Sequence, residues 1–316
     1  MRYFDTVLND AINMCYGRVY KNEFDLIYPF TTENISGYID KFNLINKSLL
    51  TVGSSSDQAI NAIFNGCSDI SVVDINPYTK FYYYLKVACL IELDLDEFLK
   101  FLRFKDYPKV FNDNKEVFNK EIYDKIKITL RLIDYESYLF WDELFNTFSS
   151  MDIRHLFSDD EYRTNVIKYC NKYLKNIESY EITRAKIKGI RPNFIEGDLF
   201  DIVINKNFDN IWLSNIGTYI KVNDLKKLID KLVLLLNKNG LILISYLYDT
   251  TINSEYKPNF KEIYNLEKTL DILKEYDVKL SSFIGVQGIE FMENRIKDSI
   301  LVHKKINLNR LIFSIL

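Results

Sequence analysis

Glycine is scarce in this chain, 10 of 316 residues, under half of the roughly 7% usual in globular proteins. No G-x-G-x-x-G loop occurs, which argues against a pyrophosphate cradled by glycine N–H groups at a helix N-terminus. Histidine is limited to His155 and His303, and the four cysteines, Cys15, Cys67, Cys89 and Cys170, form no C-x-x-C pair. That set offers neither zinc-ligand spacing nor a disulfide framework and reads as buried free thiols in a reducing compartment. Apolar runs such as Leu232 to Leu236 fall far short of the ~20 residues of a membrane span. The opening MRYFDTVLNDAINMCYG is interrupted by Asp5, Asn9 and Asp10 and lacks the apolar stretch of a secretory signal, so the expectation is a cytoplasmic chain. Charge is not one-sided either. With 41 Lys+Arg against 44 Asp+Glu, net −3, no electrostatic footprint for nucleic acid or an anionic membrane is present.

What is there is a globular composition, 47% hydrophobic and rich in aromatics at 15%, with enough length for a full core. SLLTVG (48–53) is a short apolar run ending in glycine, followed by DQAINAIFNG at helical spacing; Gly66 closes that helix and ISVVDIN (70–76) gives a second strand. Asn76 and Pro77 then open a helix through FYYYLKVACLIEL. From about Asp94 to Arg191 every segment carries apolar residues at three and four spacing, which predicts a helical insertion. Strands return at NFIEGD (193–198), FDNIWLSN (208–215) and GLILISYLY (240–248), the last two separated by an amphipathic helix that Gly240 is expected to end. VKLSSFIGV (278–286) and SILVHKK (299–305) finish the chain without a convincing helix between them. The expected fold is therefore α/β: a seven-stranded, doubly wound, Rossmann-like sheet of the class I methyltransferase type, with an antiparallel last strand and a helical insertion. The expected division is an N-terminal helical segment (1–47) covering the site, an α/β domain (48–93 and 192–316) and a helical insertion (94–191) placed to act as a lid.

Ligands of open α/β sheets bind outside the carboxyl ends of the strands. Those ends read Gly53-Ser54-Ser55-Ser56-Asp57, Asp74-Ile75-Asn76, Gly197-Asp198-Leu199 and Ser214-Asn215-Ile216-Gly217. Gly53 allows close backbone approach, with Ser54, Ser55 and Gln58 beside it. Asp57, at a helix start, either receives the amino group of a ligand or is a carboxylate favoured by the helix dipole. Asp74, about 20 residues after the glycine turn, stands where a carboxylate accepts ribose hydroxyls. Asp198 suits the amino group of an adenine, and Leu199 offers backbone and apolar contact. An amino group, a ribose and an adenine with no phosphate between them describe S-adenosylmethionine better than NAD. No metal site is expected.

The block from Leu49 to Leu102 also resembles the DUF3419 or BtaA-like group of class I S-adenosylmethionine-dependent transferases. Asp57, Asp74, Asn76, Pro77, Lys86, Ala88 and the DLDEFL segment (94–99) match that group's loop, its D-[LIV]-N-P strand end, its L-K-x-A helix and its acidic segment; Gln58 replaces its asparagine. The resemblance implies the fold and the cofactor; together with the strand-end reading, the expected cofactor contacts are Gly53, Ser54, Ser55, Asp57, Gln58, Asp74, Ile75, Asn76, Asp198 and Leu199. It leaves the acceptor open, because cofactor motifs do not specify which group moves or where.

For the acceptor, a small molecule, the hydroxyls and aromatics of Tyr28, Thr31, Thr32, Glu33 and Tyr38 precede the first strand, although Thr-Thr-Glu-Asn before ISGYI also reads as helix capping. Ser214, Asn215 and Tyr219 offer neutral hydrogen-bonding groups after the fourth strand. Catalytic candidates are thus Tyr28, Thr32, Ser214, Asn215 and Tyr219. Aromatics of the insertion, such as Phe140, Trp141 and Phe145, read as core. Three functions remain open: methyl transfer, transfer of a 3-amino-3-carboxypropyl group, and cofactor binding without catalysis.

Overall fold

The computed structural model describes residues 2–17, 24–102, 117–158, 164–214, 216, 220–245, 270–274, 276–284, 286–287, 290–291 and 297–304. The chain divides into two compact units, one of residues 1–32, 53–64 and 74–190, the other of residues 33–52, 65–73 and 191–316.

The second unit is built on a sheet. Its strands are β1 (Ser48–Val52), β2 (Asp69–Asp74), β3 (Asn193–Glu196), β4 (Phe208–Trp212), β5 (Leu236–Ile244) and β6 (Val278–Ile284). A short ribbon of β7 (Val286–Gln287) and β8 (Glu290–Phe291) precedes β9 (Lys297–Lys304). The order across the sheet is β3-β2-β1-β4-β5-β9-β6. The first five strands have the parallel 3-2-1-4-5 order of a Rossmann-like fold, and β9 runs antiparallel to both β5 and β6. Leu50 of β1 pairs with Ser71 on one side and Ile211 on the other. Burial of these strands is almost continuous, in keeping with their near-continuous apolar sequence. Leu50, Ile211 and Ile242 pack in one core with Leu228 and Leu232 of α10 (Val222–Val233, numbered in chain order with the helices below).

Gly240 does not end a helix. α10 stops at Val233 and β5 starts at Leu236, so Gly240 lies inside the strand. The pairing of β4 with β5 shifts between Phe208 and Asn210, Asn239 takes a left-handed φ of 64°, and a Cβ on Gly240 would lie 3.0 Å from the carbonyls of Phe208 and Asn237. The glycine serves a bulge.

The first unit is helical: α1 (Arg2–Cys15), α2 (Asp57–Phe64), α3 (Tyr78–Glu92), α4 (Leu95–Leu102), α5 (Lys120–Ile133), α6 (Tyr135–Thr147), α7 (Ser150–Ile153), α8 (Thr164–Cys170) and α9 (Ile177–Ile187). Short polar residues start the later helices. Asn119, Asp134 and Asn176 accept backbone N–H groups at the N-termini of α5, α6 and α9, and Ser149 with Asp152 forms a capping box on α7. The core is aromatic. Phe81 stacks on Phe140 at 4.4 Å, Tyr123 on Phe145 at 4.1 Å, and the Trp141 indole donates to the Phe81 carbonyl at 2.9 Å. Because α3 packs on α5, α6 and α9, α2 and α3 group with the helices of 94–190 rather than with the sheet, and the division between units follows packing instead of the expected boundary at residue 93. Among the described residues no helix is long and apolar enough to cross a membrane, no His, Cys, Asp and Glu cluster suits a metal, and all four cysteines are free and buried.

Candidate functional site

In the turn after β1, serines rather than glycines take the left-handed positions. Ser54 and Ser56 adopt left-handed φ values of 45° and 70°, a conformation costing roughly 1–2 kcal/mol per non-glycine residue. Surrounding contacts hold it. Ser54 N–H donates to Asp74 Oδ2 at 2.8 Å, and Ser56 N–H donates to the Gly53 carbonyl at 2.8 Å. Asp74, the last residue of β2, also accepts the Thr79 hydroxyl at 3.0 Å and, through Oδ1, Asn76 N–H at 2.9 Å. Gly53 is needed because a Cβ there would lie 2.2 Å from Thr79 Cγ2 and 2.8 Å from Asp74 Oδ2. Burial holds the Asp74 carboxyl above its ordinary value, against the opposing pull of the Asn76 and Ser54 N–H groups and the Thr79 hydroxyl. Next to it Ile75 is 62% exposed, an apolar side chain left on the rim of a strand end. Asn76 accepts Tyr78 N–H at 3.0 Å at the start of α3 and donates to the Asp25 carbonyl at 2.8 Å. Gly53, Ser54, Asp74 and Asn76 are therefore brought together.

Asp57 is not part of that group. It is fully buried, and its carboxylate is occupied from within the protein. Oδ1 accepts the Lys86 ammonium and the Tyr173 hydroxyl, each at 2.6 Å; Oδ2 accepts Thr31 N–H at 2.6 Å and the Ser55 hydroxyl at 3.1 Å. The amino group that Asp57 receives here is Lys86 Nζ, where the sequence leaves open either a ligand's amino group or a carboxylate favoured by the helix dipole. Lys86, itself fully buried, donates further to the carbonyls of Pro29 (3.0 Å) and Ser55 (3.1 Å) and lies 4.3 Å from the centre of the Phe30 ring. Burial pulls the lysine below its ordinary value while Asp57 pulls it back up. Burial, then the Asp57 charge, pushes the Tyr173 hydroxyl well above its ordinary value, so it remains a donor. Ser55 and Gln58 are buried beside this network at 2% and 4% exposure.

At the end of β3, Gly197 has φ 140°, and a Cβ on it would lie 2.8 Å from Ile202 Cγ2. Asp198 is exposed and accepts Phe200 N–H at 2.9 Å, the local turn bond an Asp commonly makes. Leu199 points into the core, and its carbonyl accepts Lys231 Nζ at 3.0 Å; the same ammonium takes the carbonyls of Phe200 and Ile202 at 2.8 Å each.

Beyond β4 and β5 the structure assembles a group that strand-end reading finds only in part. Ser214, with a left-handed φ of 53°, donates to Glu33 Oε2 at 2.6 Å, and Ser245, the residue after β5, donates to Glu33 Oε1. Glu33 is 2% exposed. The segment that follows it packs on the same strand, with Tyr38 and Phe42 edge-on to the Trp212 ring at 6.0 and 5.5 Å. Asn34 caps the helical turn of Ile35–Gly37, in place of the threonines. Tyr28 is 37% exposed and Thr32 half-buried, both in the helical unit. Asn215 and Tyr219 lie outside the described residues.

Sequence reasoning gave no role to Lys86, Thr79, Tyr173, Lys231 or Ser245. For Lys86 a signal exists, a single lysine inside FYYYLKVACLIEL, where both helix faces are apolar. The others depend on partners distant in sequence.

No family model matches the chain, and no curated protein does. Among solved structures it is similar to the N-methyltransferase NodS of Bradyrhizobium japonicum WM9 in complex with S-adenosylhomocysteine, at 10% identity over 83% of this chain and 79% of that one, TM-score 0.39. It is also similar to magnesium protoporphyrin IX methyltransferase of Synechocystis PCC 6803 with bound S-adenosylmethionine, at 10% identity over 85% and 74%, TM-score 0.39. A third is the ribosomal protein L11 methylase of Lactobacillus delbrueckii subsp. bulgaricus, at 11% identity over 85% and 75%, TM-score 0.37.

Proposed function

We propose that this chain is an S-adenosylmethionine-dependent group transferase whose reaction is methyl transfer to a small-molecule acceptor. The observation that carries this reading is the strand-end carboxylate of Asp74, fixed by Ser54 N–H against a glycine that admits no Cβ. It is preorganised to accept ribose hydroxyls at the end of a parallel strand. Ile75, 62% exposed beside it, supplies the apolar contact for the adenine. The same turn disfavours a dinucleotide. A buried carboxylate, Asp57, begins α2, and the N–H groups of Ser54, Ser56 and Asp57 already donate within the protein, so a pyrophosphate finds neither donors nor a favourable charge there.

When bound, the sulfonium supplies an electrophilic methyl carbon and a thioether leaving group. The protein's task is then mainly orientation of an in-line displacement, which fits a chain with only two histidines. The BtaA-like resemblance of residues 49–102 supports the same cofactor with 3-amino-3-carboxypropyl as the moving group. The by-product separates the two: S-adenosylhomocysteine for methyl transfer, methylthioadenosine for the other, and neither for a chain that binds without catalysis.

The test is calorimetric titration with S-adenosylhomocysteine and then with NAD. Binding of the first and not the second is expected, with Asp74→Ala weakening it at least about tenfold, since hydrogen bonds to a charged group are worth ~1.5–3 kcal/mol. No binding, preference for NAD, or unchanged affinity in Asp74→Ala refutes the reading.

A further inference from the structure

We infer that Lys86 is a positioning residue for the cofactor, joined to the Asp74 carboxylate by a relay of two peptide groups. This rests on the reading of Asp74 as the ribose-binding carboxylate of a sulfonium-dependent transferase. The Lys86 ammonium donates to the Ser55 carbonyl at 3.1 Å. The N–H of that same peptide group, on Ser56, donates to the Gly53 carbonyl at 2.8 Å. The N–H of the Gly53 peptide group, on Ser54, in turn donates to Asp74 Oδ2 at 2.8 Å. Three hydrogen bonds thus run head to tail from a cation to a carboxylate, with every member inside the helical unit.

Each peptide group is planar and moves as one body. The direction of the Ser55 carbonyl therefore sets that of Ser56 N–H, and the direction of the Gly53 carbonyl sets that of Ser54 N–H. The turn needs such an anchor, because Ser54 and Ser56 both hold left-handed backbone that a side chain disfavours. Lys86 is a fixed point for it: fully buried within α3, and gripped by Asp57 at 2.6 Å and the Pro29 carbonyl at 3.0 Å. Hydrogen bonds in a row also polarise one another in the same sense, so the ammonium strengthens Ser54 N–H as a donor to Asp74. Without the lysine the Ser55 carbonyl is released, the two serines relax from their left-handed shape, and Ser54 N–H turns away from Asp74. The carboxylate then loses the donor that aims it at the ribose. Lys86 acts through the relay and not on the cofactor itself.

Calorimetric titration with S-adenosylhomocysteine separates this role from a merely structural one. Lys86→Met combined with Asp57→Asn leaves no unpaired buried charge but removes the donor to Ser55, and it should bind about tenfold more weakly than the wild type. Asp57→Asn alone, in which the lysine still donates to Ser55, should stay within about threefold of the wild type. Adding Asp74→Ala to the double variant should cost less than about twofold more, because the lysine's effect is exerted through that carboxylate. A double variant that binds like the wild type, or one that Asp74→Ala weakens by its full further tenfold or so, overturns the inference. The wild type supplies a readout that needs no variant. Coupling is reciprocal, so S-adenosylhomocysteine should slow hydrogen exchange of the Lys86 ammonium, followed by nitrogen-selective NMR; exchange unchanged at saturation overturns the inference. Absence of S-adenosylhomocysteine binding to the wild type overturns instead the transferase reading on which it rests.

Discussion

Replacing Lys86 with methionine removes one ammonium and strands several groups at once. The lysine is fully buried and donates to Asp57, Pro29 and Ser55. Pro29 keeps the Tyr82 hydroxyl at 2.7 Å, so its carbonyl remains satisfied, but the Ser55 carbonyl loses this donor. The larger cost is the Asp57 carboxylate, left buried without its cation. Breaking a buried pair from one side costs about 3–5 kcal/mol and an abandoned buried carbonyl about 1–3. Thr31 N–H and the hydroxyls of Ser55 and Tyr173 still donate to Asp57, which places the sum near the lower end, about 4 kcal/mol. Against a total of ~5–15 kcal/mol this is severe, and it should lower the urea midpoint by about 1–2 M. Asp57→Asn should cost less, because burial already pulls the lysine below its ordinary value and it can shed its proton once the carboxylate is gone. The double variant, Lys86→Met with Asp57→Asn, should recover about 2 kcal/mol relative to Lys86→Met alone. Urea unfolding followed by circular dichroism measures all four proteins. Single effects that add within about 0.5 kcal/mol would refute the claim that these side chains form one charged unit.

Gly53→Ala should destabilise the protein by about 1–3 kcal/mol, the usual cost of overpacking, and weaken S-adenosylhomocysteine binding; adding Thr79→Ser, which deletes the methyl group 2.2 Å from the new Cβ, should restore part of both. A Gly53→Ala protein that melts and binds like the wild type would show that the close approach is absent in solution. Cofactor affinity should fall on acidification with a midpoint above the ordinary aspartate value of roughly 4, because burial raises the Asp74 carboxyl and ribose recognition needs it ionised. On the empty protein the same raised value acts in reverse: this group's contribution to stability is present in acid and lost as pH rises through its folded value. Titration calorimetry across that range checks the affinity, and a flat profile down to about pH 4 refutes the assignment.

The parts legible in the sequence are those set by near neighbours. SLLTVG followed by DQAINAIF announces strand, turn and helix, and Asp74 declares itself by ending an apolar run about 20 residues later. Asp57 is legible as a helix-start or ligand-binding carboxylate but not as Lys86's partner, since Lys86 lies 29 residues away and Tyr173 lies 116 away. Glu33 stood among the candidates, yet its cap-like context hid a reach of 181 and 212 residues to its two serines. The misplaced helix end at Gly240 has a different origin. LVLLLNKNG continues a helical period into what becomes a strand, and short apolar runs do not distinguish the two by periodicity. Only pairing with β4, and the bulge it requires, decides the matter.

The network around Asp57 also bears on the order in which the molecule can be made. It fixes the turn after β1, whose serines hold a backbone shape that their own chemistry disfavours, and it draws on Tyr173, far downstream. During vectorial synthesis the strand, the serines and even Lys86 leave the ribosome long before the last member of that network exists. Until Tyr173 emerges and docks, Asp57 lacks one of its donors and the turn lacks its full support. Completion of the cradle is therefore a high-contact-order event, tied to the arrival of the distal helices.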